Sequence, residues 1–302
     1  MIMKKILLIA TVALIVAACG KRTQQDERPV ITVTIEPQRY FAEAIAGDRF
    51  RIETMVPKGS SPETYDPTPS QLIGLSKSKA YLRIGYIGFE QTWMEKLESN
   101  APQMAVFDTS KGVKLIADNV HHHSEEEAAG EEESSTHHHH GGVEPHIWNS
   151  TRNAIIIARN TLNALVSLDK ENEAYYTARY DSLCHDIIET DSLIVRMLPA
   201  GGSKQSFLIY HPALSYFARD YFLNQISIEE GGKSPSPAHL KELVELCQRE
   251  NVKIIFVQPE FDKRNAEVIA QETGVRIIAI NPLNYNWKEE MLNVADALKE
   301  NR

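Results

Sequence analysis

Residues 172–213 read NEAYYTARYDSLCHDIIETDSLIVRMLPAGGSKQSFLIYHPA. The part from 172 to 198 is helical in character, and Pro199 followed by Gly201-Gly202 ends it. The apolar run Phe207-Leu208-Ile209-Tyr210 then reads as a strand, and His211-Pro212 closes it. A helix of more than twenty-five residues therefore delivers the chain into a new strand. What lies on either side decides the fold.

On the N-terminal side the pattern predicts strands over 30–35, 51–56, 80–84 and 104–107, with helices over 37–46, 70–78 and 89–97. On the C-terminal side it predicts strands over 207–210, 225–228, 253–257 and 275–280. Helices are expected there over 213–222, 238–249 and 263–273, and from Trp287 onward. Such alternation argues for parallel sheets covered on both faces. The expected fold is α/β: two parallel-sheet domains joined by a single long backbone helix, with the ligand site in the cleft between them. The expected divisions are a signal peptide over 1–18, a lipidated tether over 19–29, an N-terminal lobe over 30–148, a helical connector over 149–199 and a C-terminal lobe over 200–302.

The N-terminus points to export. Lys4 and Lys5 precede an apolar run over 6–18, too short to span a bilayer but suited to a signal peptide. It ends in Val16-Ala17-Ala18-Cys19, the pattern of a lipobox whose cysteine accepts the lipid. A membrane-anchored lipoprotein on the periplasmic face or the cell surface is expected. The net charge of −9 is local in origin: seven glutamates and no lysine or arginine fall between His121 and Pro145, leaving about −2 elsewhere. No basic field exists, so nucleic acid is excluded as a partner. Cys184 and Cys247 both sit at helical core spacing, Cys184 in a stripe with Tyr180, Ile187 and Ile188, and read as buried thiols before they read as a disulfide.

Seven of the eleven histidines, His121, His122, His123, His137, His138, His139 and His140, lie in an acidic low-complexity loop over about 118–143. Imidazoles among glutamates take up zinc, copper or nickel, but a loop without a core suits weak, exchangeable binding. The alternative is a merely solvated loop. His146 and His211 are more informative. His146 stands just before a helix start, and His211 projects from a strand's carboxyl end in the other domain. Closing the cleft could bring both to one ion.

Several stretches carry a resemblance. Residues 57–69, PKGSSPETYDPTP, look like the P-H-x-Y-E-P-T-P loop of the metal-binding lipoproteins of zinc and manganese ABC importers. In order follow Gly88-Phe89-Glu90 with Trp93, Glu144-Pro145-His146-Ile147-Trp148, Tyr210-His211-Pro212-Ala213 with Tyr216-Phe217-Ala218, and Asn281-Pro282-Leu283. The His-rich insert is similar to that of the zinc branch. The resemblance covers essentially the whole mature chain. It implies two lobes on a long helix with little lobe motion, Zn2+ as cargo with Mn2+ as the alternative, a permease and an ATPase as partners, and a monomer. It also implies the metal ligands Glu63, His146 and His211, with Asn281 where a carboxylate often sits.

Two departures stand out. Glu63 replaces a histidine, and Asn281 offers only a neutral oxygen. Two histidines and a glutamate are still a set that zinc accepts. Glu260, in Gln258-Pro259-Glu260-Phe261, could add a carboxylate, or solvent could complete the site. Two other readings stay open: a zinc hydrolase, against which stands the absence of a His-Glu-x-x-His helix and a nucleophile elbow, and a metal-buffering or adhesin-type surface lipoprotein on the same fold.

Overall fold

The structure is a computed structural model that describes residues 26–117, 142–198 and 205–299. The signal peptide, Cys19 and all seven loop histidines lie outside the described residues.

The first lobe contains β1 (Val30–Val33), α1 (Glu36–Ala46), β2 (Arg51–Thr54), α2 (Pro69–Leu75), β3 (Ser78–Arg83), α3 (Gly88–Asn100) and β4 (Ala105–Asp108). Its sheet is parallel, in the order β2-β1-β3-β4. The second lobe contains β5 (Ser206–Ile209), α6 (Ser215–Asp220), β6 (Asn224–Ser227), α7 (Pro237–Arg249), β7 (Ile254–Val257), α8 (Arg264–Thr273), β8 (Arg276–Ala279) and α9 (Trp287–Lys299). Its sheet repeats the pattern as β6-β5-β7-β8. The inner strands β1, β5 and β7 are buried along their whole length, while the edge strand β8 is half open. That is why the inner strands read as unbroken apolar runs.

The long helix expected between the lobes is present, with a second helix packed along it. Two helices, α4 (Thr151–Leu168) and α5 (Glu173–Met197), pack on each other between the lobes. The Ser150 hydroxyl starts α4 by accepting from the Asn153 N–H at 3.0 Å. The 25-residue α5, about 37 Å long at 1.5 Å per residue, packs on α1 of the first lobe and α9 of the second. The core stripe expected around Cys184 is narrower than its spacing suggested. Ile187 is buried, but Ile188 is 59% exposed because it lies past the edge of the packed face. Cys184 and Cys247 are free thiols.

One hydrophobic core runs through both lobes and the connector, from Ile31 and Phe41 to Phe207, Phe256 and Trp287. At the seam, the Trp148 indole N–H donates to the Pro282 carbonyl at 2.8 Å, and the Trp287 indole donates to the Trp148 carbonyl at 2.8 Å. The Tyr216 hydroxyl donates to the Glu144 carbonyl and the Asn149 amide to the Ala213 carbonyl. Both tryptophans are at most 2% exposed, so these bonds have no water to replace them. Trp287→Phe leaves the Trp148 carbonyl without its donor and should lower stability by about 1–3 kcal/mol. Denaturant unfolding measures it, and an unchanged midpoint would show that the seam does not hold the lobes.

Candidate metal centre

Each sequence-derived ligand sits beyond the carboxyl end of a strand or in the seam. Glu63 is in the loop after β2, and His146 stands between the lobes just before α4. His211 follows β5 and Glu260 follows β7, the two strands at which the second sheet reverses its order. That is where open α/β sheets present ligands.

The two histidines meet. Their Nε2 atoms are 3.1 Å apart, with ring centroids at 4.9 Å and planes at 74°. Behind each ring stands a buried carboxylate: Glu144 Oε1 lies 2.5 Å from His146 Nδ1, and Glu229 Oε1 lies 2.8 Å from His211 Nδ1. An ionised carboxylate only accepts, so each Nδ1 carries a hydrogen and Nε2 is the ring position open to a metal ion. Two nitrogens bound to one tetrahedral zinc at about 2.0–2.1 Å are about 3.3 Å apart, close to the spacing found here.

The surroundings fix both rings. Glu144 also accepts from the Ser215 hydroxyl at 2.9 Å, and the His146 ring faces Trp148. His211 stacks on Phe261 at 5.1 Å, and its backbone exchanges two hydrogen bonds with the Gln258 amide. Ser61, Pro62, Glu63, Glu260, Pro282 and Leu283 complete the wall. The free space is only ≈ 30 Å³, enough for an ion with little else.

Glu63 and Glu260 line this space, and Asn281 does not. The Asn281 side-chain oxygen is committed to the Leu283 N–H at 3.1 Å, and Asn281 faces two neighbouring clefts instead. Glu63 Oε2 accepts from the Gly88 N–H at 3.0 Å, while Glu63 Oε1 is buried with no partner. Among the described residues no three His, Cys, Asp or Glu groups converge tightly enough to hold an ion as placed.

Burial opposes the charged form of His146, but the Glu144 carboxylate outweighs it and holds the ring's pKa above the ordinary 6.5. Burial alone would raise Glu144, yet His146 brings it below the usual carboxylate value. Glu260 is pushed upward by burial. Nothing in the sequence alone marks Glu144 and Glu229 as partners of the rings. Glu144 has only its i, i+2 spacing to His146. Glu229 has only its position just after the short strand β6.

Two parallel α/β lobes closing on a space of ion size define a cleft-type binding protein for a small solute. The chain belongs to the family of the periplasmic zinc-uptake complex component A, ZnuA, whose sequence model matches residues 31–301. It is 28% identical over 307 residues to the high-affinity zinc uptake system protein ZnuA of Bacillus subtilis (strain 168), covering 97% of this chain and 93% of that one. A crystal structure of ZnuA superposes with a TM-score of 0.81 at 31% identity, covering 91% of this chain and 100% of the other. A ZnuA deletion mutant with zinc bound matches at 0.79 and 31%, covering 90% and 97%. The chain is a component of metal uptake and not an enzyme.

A raised His146 pKa sets the sign of two pH effects. The His146–Glu144 pair contributes stability to the free protein that is complete between about 4.5 and 6.5; it is lost as pH rises through the raised His146 value and as pH falls through the lowered Glu144 value. Metal affinity runs the other way, because the ion displaces a proton, and it should still climb above 6.5. Chelator competition across pH tests this, and an affinity already flat at 6.5 contradicts it. Glu229→Ala should weaken binding by about 10–100-fold through loss of ring orientation, with an unchanged affinity removing that role.

Proposed function

We propose that this protein captures Zn2+ between Glu63, His146 and His211 and delivers it to a membrane permease coupled to an ATPase. Mn2+ is the alternative cargo. The single observation that carries the reading is the pair of Nε2 atoms 3.1 Å apart, each backed at Nδ1 by a buried carboxylate. Lone pairs facing each other at that distance repel unless a cation or proton lies between them. Glu63 Oε1, buried and unpartnered in the same wall, is the oxygen available as a third ligand. Solvent or Glu260 completes the set, and Asn281 supports the loop.

The protein acts as an exported monomer held by lipid on Cys19. No described helix is long and apolar enough to cross a membrane. Cys19→Ser should release it from membranes with metal affinity unchanged, and fractionation decides: a variant that stays with the membranes sinks the lipid anchor. The His-rich loop acts as a weaker, exchangeable reservoir. Deleting 121–140 should leave one tight site and remove only additional weak ones in calorimetric titration, and loss of the tight phase would move the primary ligands into the loop.

His146→Ala and His211→Ala should each weaken zinc binding by more than about 100-fold, since even the residues that orient such ligands are worth about 10–100-fold. Glu63→His should preserve binding and raise the preference for zinc over manganese, because imidazole suits zinc better than it suits manganese. Competition against a chromophoric chelator with both metals reads all three variants. Unchanged affinity in the histidine variants removes the site, and unchanged selectivity in Glu63→His removes Glu63 from it.

A further inference from the structure

Resting on that metal-capture reading, we propose that Gly88 is a specificity-determining positioning residue: it restricts Glu63 to donating one oxygen, which favours a small four-coordinate ion. The loop 61–63 is docked on the first turn of α3. The Phe89 N–H donates to the Pro62 carbonyl at 2.8 Å, and the Gly88 N–H donates to Glu63 Oε2 at 3.0 Å. One carboxylate oxygen is thereby tied to the positive end of a 13-residue helix. The other, Oε1, is buried and has no partner. A carboxylate held in this way meets a cation through one atom.

Space at Gly88 is what permits the arrangement. A Cβ placed there would lie 2.8 Å from the Glu63 carbonyl oxygen, 2.8 Å from Glu63 Oε2 and 3.1 Å from Glu63 Cα. Contacts under 3.0 Å to backbone force a shift, so any side chain at 88 displaces the Glu63 loop. Gly88 does not need glycine for its backbone angles, unlike the left-handed Gly85 nearby. Close approach to Glu63 is therefore the reason for the residue type.

The chemical consequence concerns coordination number. Zinc with two imidazoles, one carboxylate oxygen and one solvent molecule is tetrahedral. Harder ions such as manganese favour carboxylate and carbonyl oxygen and a larger shell. A carboxylate free to swing both oxygens onto the ion adds a ligand and narrows the advantage of zinc. The N–H at 88 withholds that second oxygen.

The test is Gly88→Ala in the full chain, with Zn2+ and Mn2+ affinities from chelator competition and the visible absorption of bound Co2+ as a report of coordination number. The ratio of zinc to manganese affinity should fall at least about tenfold, the effect of losing one hydrogen bond to a charged group. The Co2+ bands should weaken from tetrahedral intensity. In a Glu63→His background the same Gly88→Ala change still shifts the loop but frees no second oxygen, so the ratio should fall by clearly less than it does with Glu63 present. Glu63→Asp, too short to reach Gly88 and the ion together, should lower the ratio as well and serves if Gly88→Ala does not fold. Tight zinc binding with ratio and spectrum unchanged in Gly88→Ala or Glu63→Asp overturns the role of Gly88 and leaves the metal site standing. Zinc affinity in the wild type that is indifferent to His146→Ala and His211→Ala overturns the metal site itself.

Discussion

Trp148 is fully buried where the two lobes meet, and its indole and carbonyl are both spent on the second lobe, on Pro282 and Trp287. His146 lies two residues before it, and Ser150, the residue that starts α4, lies two residues after it. The segment bearing one imidazole is therefore stitched to the lobe bearing the other. One hydrophobic cluster, from Ile31 to Leu298, packs both lobes and the connector against each other. The 3.1 Å between the Nε2 atoms is a property of that packing.

Electrostatics complete what packing begins. Glu63 lines the space with the two imidazoles, Trp148 and Phe261, and Glu144 and Glu229 stand behind the rings. Buried negative charge of this kind is tolerated only when it is paired and hydrogen-bonded. In the free protein the Glu144 carboxylate favours a proton on His146 and holds that ring above its ordinary pKa. A divalent cation supplies the pairing more fully. Metal uptake and proton release are then one exchange.

Much of this was legible in the sequence for physical reasons. Buried parallel strands such as Ile254–Val257 are uninterrupted apolar runs, and caps such as Ser150 and Ser236 mark helix starts, so elements were found to within a few residues. His146 and His211 stood out because they sit at element ends, outside helical stripes. Other features were hidden because they depend on distances between segments far apart in the chain. Glu229 backs a ring 18 residues away, and Gly88 touches a loop 25 residues away. Asn281 matched its motif by position, yet the sequence could not show that its amide oxygen is used on Leu283. The connector read as helical, but only packing shows that α4 lies along α5 and against α1.

The size of the site bears on what the fold can distinguish. A space of ≈ 30 Å³ stands far below the roughly 300–1,000 Å³ that organic ligands occupy. Discrimination must then act on the ion alone, through donor type, donor count and geometry. The donors differ in how firmly they are held. Each imidazole is fixed by a buried carboxylate and an aromatic ring within the common core. Glu63 belongs to a loop outside that core, held by the first turn of α3, by the Trp93 indole donating to Asp66 and by Gln71 donating to the Met55 carbonyl. The two imidazoles are thus held by the packed seam, and the Glu63 carboxylate by the backbone of α3.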